Sequence, residues 1–388
     1  MGEEEKKRRE EEIEIEARRC KGSSLPLDLI SEVLLRLPSK SVVKSRCVSK
    51  LFTSITTQPC FIRSFAARSS QSPCLLFVLE KDSNLIVFSI RQQQNSNNPH
   101  VAVLDSSYSM TIQEKCCFLQ VESVQGLICV MKSGNPQIWN PTTMRFSILP
   151  KPATRWRDDT VSFIGYDPID DTYKVLSMYR CRPRPPRALT LGAGAGWRVI
   201  EGVSPHTPFL HGARCVNGVL YYLAAPCIGD IFTNQHLVSF HVRSEKFSII
   251  KVPWNLTPGL RSLAHYDGKL VCVITRGDDF TLWTLEDLEK QEWSYKYLTL
   301  PFPWLDPISR TRFSLYGVND AGEFIFVTLA LEYPFHIIYF DPKGNSFRRV
   351  VIDGVALDQF RRSYGFSDDE PLHVQCVYSN HIETLMSI

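Results

Sequence analysis

Residues 25–52 read LPLDLISEVLLRLPSKSVVKSRCVSKLF, and this stretch decides the fold of the N-terminal part of the chain. Apolar residues recur at helical spacing through its first half, as Leu27, Ile30 and Leu34 illustrate. Pro38 ends that helix, because proline cannot donate the backbone hydrogen bond that a helix interior needs. The second half carries the apolar residues of another helix. The stretch therefore predicts two short helices with a corner at Pro38.

A helical module of this size is a weak folding unit. A segment of roughly 45 residues lies near the size at which an isolated core becomes marginal. Burying about six apolar side chains on another protein would be worth on the order of 10 kcal/mol before ordering costs are subtracted. We therefore expect residues 23–68 to form a small all-α module that docks on a partner.

The order of residues in this stretch resembles the F-box of plant proteins. The run LPxxLIxEVLxRLPxKSVxxxRCVSKxF, in which x is any residue, begins at Leu25, and the resemblance extends to about Phe65. It implies docking on the SKP-type adaptor of an SCF (cullin–RING) ubiquitin ligase. Most relatives carry tryptophan where this chain has Phe52, and phenylalanine keeps the apolar bulk but lacks the indole N–H. We expect weaker or altered anchoring there.

The resemblance implies an apolar docking surface, formed by the residues that match the apolar positions of the motif. These candidates are Leu25, Pro26, Leu29, Ile30, Leu34, Leu37, Val42, Val48 and Phe52. Some of them must instead form the core of the module itself, because even a small module needs interior contacts to fold. The sequence leaves open which of them dock and which are interior.

The bulk composition argues against several classes of partner. The 388 residues are 44% apolar, and 44 basic against 41 acidic residues leave a formal charge of only +3. So small a surplus gives no basis for binding nucleic acid or an anionic membrane. No apolar run reaches the roughly 18 residues of a membrane span, and residues 1–22 form a charged, solvated arm without an apolar signal region. We expect a soluble intracellular protein of the nucleus, the cytoplasm or both.

Cysteine spacing and acidic pairs do not predict a metal, redox or catalytic site. The 12 cysteines are scattered without a C-x-x-C pair, so we expect reduced thiols. The run GAGAG at residues 192–196 is followed by strand-like residues, whereas a phosphate loop opens a helix. Adjacent aspartates such as Asp170 and Asp171 are typical of solvated turns. We expect no catalytic residues, no cofactor and no metal.

From Cys74 to Ile388 the pattern changes to short β-branched and aromatic runs separated by Gly, Pro, Asn and Asp. Turn-plus-strand units recur about every 45 residues, the length of four short strands with their connections. They begin near Asn84, Gly126, Asp171, Gly218, Gly268 and Gly322. The repeat predicts a large all-β domain, a β-propeller-like ring of six to seven blades, because a closed ring protects strand edges. The alternative is a large irregular β-sandwich.

The last residues and two internal runs add to this prediction. The final segment LHVQCVYSNHIETLMSI, residues 372–388, is expected to pair with the strand LLFVLE at Leu75 and lock the ring. The runs GLICVMKSGNPQIWNPTTMRFSILP (residues 126–150) and FIGYDPIDDTYKVLSM (residues 163–178) resemble the third type of plant F-box-associated domain. Together the two resemblances cover nearly everything but the charged arm.

Two features of the β-rich region are candidates for contact with a target protein. In RCRPRPPR, residues 180–187, prolines favour an extended backbone that holds arginines apart, and guanidinium groups suit carboxylates or phosphates. Its candidates are Arg180, Arg182, Arg184 and Arg187. Trp156 stands between two arginines and is a candidate for exposed contact, whereas Trp139, Trp283 and Trp293 fall inside strand patterns and are expected in the core.

These features favour a non-catalytic substrate receptor with two ends. The helical module would dock on a SKP-type adaptor and, through it, a cullin, while residues 74–388 would bind an unknown target protein; nucleic acid and membranes are not expected partners. One alternative is a β-propeller enzyme, a glycosidase or oxidase, with a fused helical segment. Another is an F-box scaffold that binds the adaptor without promoting ubiquitination.

Overall fold

The computed structural model of this protein describes most of the chain. The described residues are 25–92, 100–112, 116–118, 122–132, 134–150, 160–180, 184–192, 194, 196–209, 212–226, 235–253, 260–355, 357–367 and 370–387. They form two compact units. The first comprises the described residues of Met1–Gln71 together with Glu383–Ser387, and the second those of Ser72–Ile382.

The first unit is helical and contains α1 (Leu27–Arg36), α2 (Ser39–Ser45), α3 (Lys50–Thr56) and α4 (Pro59–Ser70). The predicted corner at Pro38 is confirmed, since Pro38 is the N-cap of α2. The prediction of one helix after that corner is wrong. Ser49 has an extended backbone and its side chain accepts a hydrogen bond of 3.1 Å from the Leu51 amide, so the chain breaks there and α3 starts anew.

The core of the helical unit draws on both of its sequence segments. Its buried apolar side chains are Leu34, Val42, Ile55, Phe61, Phe65 and Leu385. Leu385 has no solvent exposure and lies far along the chain from the others. The amide of Glu383 donates a hydrogen bond of 2.7 Å to the Ser69 hydroxyl, and Ser39 donates to the Glu383 carboxylate. The last described residues are therefore part of the helical unit.

The second unit is built from strands. They are β1 (Cys74–Lys81), β2 (Asn84–Arg91), β3 (Val101–Thr111), β4 (Cys116–Cys117), β5 (Ile128–Lys132), β6 (Asn135–Asn140), β7 (Arg145–Ile148), β8 (Thr160–Asp167), β9 (Thr172–Tyr179), β10 (Arg187–Thr190), β11 (Arg198–Val199), β12 (His206–Pro208), β13 (Arg214–Val216), β14 (Val219–Pro226), β15 (His236–His241), β16 (Phe247–Lys251), β17 (Leu260–Tyr266), β18 (Lys269–Arg276), β19 (Asp279–Asp287), β20 (Glu292–Thr299), β21 (Phe313–Val318), β22 (Phe324–Thr328), β23 (Ala330–Leu331), β24 (His336–Asp341), β25 (Ser346–Asp353) and β26 (Leu372–His381). A short helix, α5 (Asp358–Ser363), interrupts them.

The strands form antiparallel meanders of about four strands, the unit that the sequence period predicted. Three sheets follow chain order as β4–β7, β8–β11 and β17–β20, and a fourth has the order β12-β14-β15-β16 with β13 also on β14. A nine-stranded sheet has the order β21-β22-β24-β25-β3-β2-β1-β26-β23. In it the parallel pair of β25 and β3 joins two antiparallel meanders.

Successive meanders contact each other through one strand each, and these contacting strands are called the innermost strands below. Contacts run from β5 to β8, from β8 to β13, from β13 to β17, from β17 to β21, and from β21 to β26. The predicted closure by the final segment is confirmed over β26, which pairs with β1 and places Val377 opposite Phe77. The predicted combination of a small helical module with a large all-β, propeller-like domain is also confirmed. Residues 383–387 instead join the helical unit.

The predicted tryptophan positions agree with the packing of the sheets. Trp139 has no solvent exposure and stacks with Phe146 in an apolar cluster between sheets. Trp283 and Trp293 are half-buried and pack against a second cluster, shared by the meander of β13 to β16 and that of β17 to β20. Burial of large aromatic side chains contributes much of the apolar energy of such interfaces.

Gly317 marks the closest approach between β21 and β26. A Cβ at this position would lie 2.8 Å from the Cβ of Ser379, and backbone on both sides leaves little freedom to move apart. We expect Gly317→Ala to lower the free energy of unfolding of the β unit by about 1–3 kcal/mol. Urea unfolding measures this. Adding Ser379→Gly to Gly317→Ala should reduce this loss of unfolding free energy. Gly196→Ala, with no atom within 4 Å of the added Cβ, should leave the unfolding free energy unchanged. An equal loss from both alanines would contradict the clash.

Candidate functional site

The helical unit presents an exposed apolar face. Among the predicted docking residues, Leu25 is 61% exposed, Leu29 50%, Leu37 37% and Val48 78%, and Pro26 is exposed as well. Several large apolar side chains exposed within one small unit are a common feature of binding surfaces. This part of the predicted docking set is therefore available to a partner.

Two of the predicted docking residues are not on this face. Leu34 is 3% exposed and Val42 is fully buried, and both pack in the core of the helical unit. These two candidates therefore belong to the interior group that the sequence left open, because the helices need these side chains for their own core. Ile30 and Phe52 are half-buried against the same core, which leaves only part of each side chain for a partner.

The face also contains two residues that the motif-based prediction omitted. Leu27 is 47% exposed and Val33 is 55% exposed, and both lie on α1. The signal was present in the sequence, because α1 is apolar on several sides and a single helix can bury only one of them in its own unit. Glu32 and Arg36 form an ion pair of 3.5 Å one turn apart on the solvated side.

Arg46 forms hydrogen bonds beside the loop that contains the exposed Val48. Its guanidinium donates to the Thr56 hydroxyl at 3.1 Å and to the Thr56 carbonyl at 2.9 Å. The Thr53 hydroxyl donates in return to the Arg46 carbonyl at 2.8 Å. These bonds connect the end of α2 to α3, and Val48, in the loop between the two helices, is exposed.

Only some of the predicted target-binding residues lie in the described part of the chain. Trp156 and Arg182 lie outside the described residues. Arg180 and Arg184 are exposed, and the Arg184 guanidinium lies 5.1 Å from the centre of the Tyr179 ring. Arg187 is half-buried as the first residue of β10. Of this set, Arg184 lines a cavity of about 240 Å³ together with Pro185, Pro186 and His206.

A larger cavity of about 500 Å³ lies where the innermost strands of the β unit end. It is lined by residues that the sequence reading passed over, among them Glu122, Arg214, Asp320 and Asn380. They come from separate strands and turns distributed along the chain. Only folding brings them together, and none belongs to a recognisable motif.

The paired acids of the sequence have structural partners where they are described. Asp170 forms a bidentate ion pair with Arg243 at 2.9 and 3.0 Å, and Asp171 accepts a hydrogen bond of 2.8 Å from Tyr166. Within the described ranges no group of three or more His, Cys, Asp or Glu side chains could hold a metal ion. The described cysteines are free thiols. Among the described helices, none is long and apolar enough to cross a membrane.

Comparison with known proteins covers both units. A family model described as the F-box domain matches residues 23–64, and one described as the F-box associated beta propeller domain matches residues 74–382. The Arabidopsis thaliana F-box protein At1g47730 is 40% identical, with 98% of this chain and 99% of that protein covered. F-box protein At5g18160 from the same plant is 36% identical over 94% of this chain and 92% of its own length.

Among solved structures, a chain of a nidogen/laminin complex is 10% identical and covers 79% of this chain, with a TM-score of 0.45. The family assignment rests on the sequence matches, which extend over both units and nearly the full length of each relative. The chain belongs to the F-box proteins that carry an F-box-associated β-propeller domain.

Proposed function

We propose that this chain is the substrate-recognition subunit of an SCF (cullin–RING) ubiquitin ligase. The helical unit would dock on a SKP-type adaptor and thereby on a cullin, and the β unit would bind the protein to be ubiquitinated. Such a role places the chain in the nucleus, the cytoplasm or both. The observation that supports the proposal best is the exposed apolar face on a unit that matches the F-box family.

The size of that face is adequate for stable docking. Its side chains are Leu25, Pro26, Leu27, Leu29, Val33, Leu37 and Val48. Completing their burial would contribute on the order of 5–10 kcal/mol, given their present partial exposure and about 25 cal/mol for each Å² of apolar surface. The loss of translational and rotational freedom on association offsets part of this free energy. The remainder is compatible with a complex that survives purification.

The mechanism is positional. A target held by the β unit would be kept near the ubiquitin-charged conjugating enzyme that the cullin carries, which raises the effective concentration of the target lysine. The chain would supply no reacting group.

Adaptor capture tests the proposal with Leu25→Ala/Pro26→Ala. Both positions are exposed, so the double variant should fold normally and retain at least about tenfold less SKP-type adaptor in co-purification, since two contacts worth about 1 kcal/mol each are lost. Ile148→Ala is the matched control, because Ile148 is 78% exposed on β7 in the other unit. A wild-type chain that fails to retain the adaptor, or a double variant that retains it equally, contradicts the docking role.

A further inference from the structure

The cavity of about 500 Å³ lies within the β unit and is lined from several meanders. Its walls include Arg214 of β13, the turn Tyr266–Gly268 after β17, and Ser379 and Asn380 of β26. These are the innermost strands of their sheets or the turns next to them. A volume of this size accommodates one large side chain with some adjoining backbone.

An ion pair between Glu122, whose side chain is 25% exposed, and Arg214, which is 9% exposed, lines the cavity. The Glu122 carboxylate lies 3.9 Å from Nε of Arg214 and accepts a hydrogen bond from the amide of Cys215. Burial raises the pKa of Glu122 to about 7, and the Arg214 charge opposes that increase. A carboxylate in this position is poorly solvated, and a second cation beside it would stabilise its ionised form.

Several hydrogen-bond donors around the cavity are engaged inside the protein. Arg214 donates to the carbonyl of Ala213 at 3.2 Å and to that of Tyr316 at 3.1 Å. The Ser379 hydroxyl donates to the same Tyr316 carbonyl at 3.0 Å, and the Asn380 amide group donates to the Val318 carbonyl at 2.7 Å. These bonds leave lone pairs on the Ser379 hydroxyl and the Asn380 side-chain oxygen. The lining therefore keeps hydrogen-bond acceptors for a ligand.

The charged side chains at the cavity also favour a cationic ligand. Its carboxylates are Glu122, Asp267 and Asp320, and its Lys and Arg side chains are Arg214 and Lys343. Lys343 pairs with Asp267 at 3.4 Å and lies 5.8 Å from the centre of the Tyr266 ring, so both cations have internal partners. Asp320 is exposed at the rim and has no ion-pair partner among the described residues. Acceptors and negative charge remain for a ligand.

We propose that this cavity receives a lysine or arginine side chain of the target protein, with Glu122 and the exposed Asp320 as its carboxylate partners. The inference rests on the proposed function and names the chemistry by which the β unit recognises its target. A cationic side chain supplies the donors and the charge that the lining lacks. An acidic side chain would instead face the Asp320 carboxylate and an arginine that is already engaged.

Binding of defined peptide pools to the purified full-length chain tests the inference. Four pools of fluorescent heptapeptides have random flanking residues and Lys, Arg, Gln or Glu at the centre. We expect the Lys and Arg pools to bind about tenfold more tightly than the Gln and Glu pools, because a charge-assisted hydrogen bond is lost without the cation. Glu122→Gln and Asp320→Asn should each reduce this preference several-fold. Asp353→Asn changes an exposed aspartate on β25 that does not line the cavity, and should leave the preference unchanged.

The outcomes separate this inference from the proposed function. Equal binding of the four pools, preference for Glu, a preference that survives both cavity variants, or no binding of any pool at about 1 mM overturns the cavity assignment. Adaptor capture is measured on the same preparations, and its loss would overturn the ligase role alone. Asp320 is exposed, so Asp320→Asn gives a valid result even if Glu122→Gln unfolds the β unit.

Discussion

Removal of residues 383–388 is expected to unfold the helical unit while the β unit stays folded. The deletion takes away Leu385, which is fully buried among Leu34, Val42 and Phe65. It also removes the bonds that Glu383 makes to Ser39 and Ser69. The helical unit then has an open cavity at the centre of a core that is small from the start.

The expected size of this effect follows from core substitutions in other proteins. Replacing a buried leucine by alanine costs about 2–5 kcal/mol, and a helical module of this size has only a few kcal/mol of stability to lose. Leu385→Ala alone should therefore unfold much of the helical unit, and the truncation should do so completely. Adaptor capture should decrease with it, because the exposed apolar face depends on the orientation of the helices.

Two spectroscopic signals distinguish the units in this experiment. All seven tryptophans belong to the second unit, so tryptophan fluorescence during urea unfolding reports the β unit and should not change. Hydrogen exchange of the amides in α1 to α4 reports the helical unit and should accelerate strongly. Leu288→Ala removes a leucine that is 43% exposed in the β unit and should leave both signals unchanged. Protected helical amides after truncation would show that Leu385 is dispensable.

Acidification from pH 6.5 to 4.5 is expected to cost the β unit about 2 kcal/mol through His381 alone. His381 is 2% exposed, and its Nδ1 shares a hydrogen bond of 2.8 Å with the Ser123 hydroxyl. Burial lowers the pKa of His381 from 6.5 to about 3. The folded chain therefore keeps this imidazole neutral over a range in which the unfolded chain protonates it.

The direction of the effect follows from proton binding in the two states. The unfolded state binds the extra proton, so the His381 contribution is fully present above pH 6.5 and is lost as the pH falls toward 3. Glu122 acts in the opposite direction, because burial raises its folded-state pKa to about 7 and stability is lost as the pH rises from 4.5 to 7. The two trends overlap between pH 4.5 and 6.5. Comparison of variants is needed to separate them.

His381→Asn isolates the histidine. The difference in unfolding free energy between wild type and this variant, from urea unfolding followed by tryptophan fluorescence, should grow by about 2 kcal/mol from pH 4.5 to 6.5. His373→Asn is the matched control, since His373 lies on the same strand β26 but is exposed. Its difference from wild type should be the same at both pH values. A pH-independent difference for His381→Asn would mean that His381 does not titrate as inferred.

The docking residues show how far a motif can be interpreted without a structure. The spacing of Leu27, Ile30 and Leu34 predicted α1, and Pro38 predicted its end, because helical period and proline geometry are local properties. The same pattern could not divide docking residues from core residues. Leu34 and Val42 proved interior, whereas Leu27 and Val33 proved exposed. That division depends on which face the neighbouring helices cover.

The helical module, the strand-rich domain with its period of about 45 residues and the pairing of the last strand with the first could all be predicted from the sequence, since periodicity and turn residues act over short distances. The role of Leu385 in the helical core, and the cavity shared by Glu122, Arg214 and Asp320, became apparent only from the folded chain. These residues are far apart along the chain. Their proximity results from the packing of the helices and from the order of the sheets, and no local pattern encodes either.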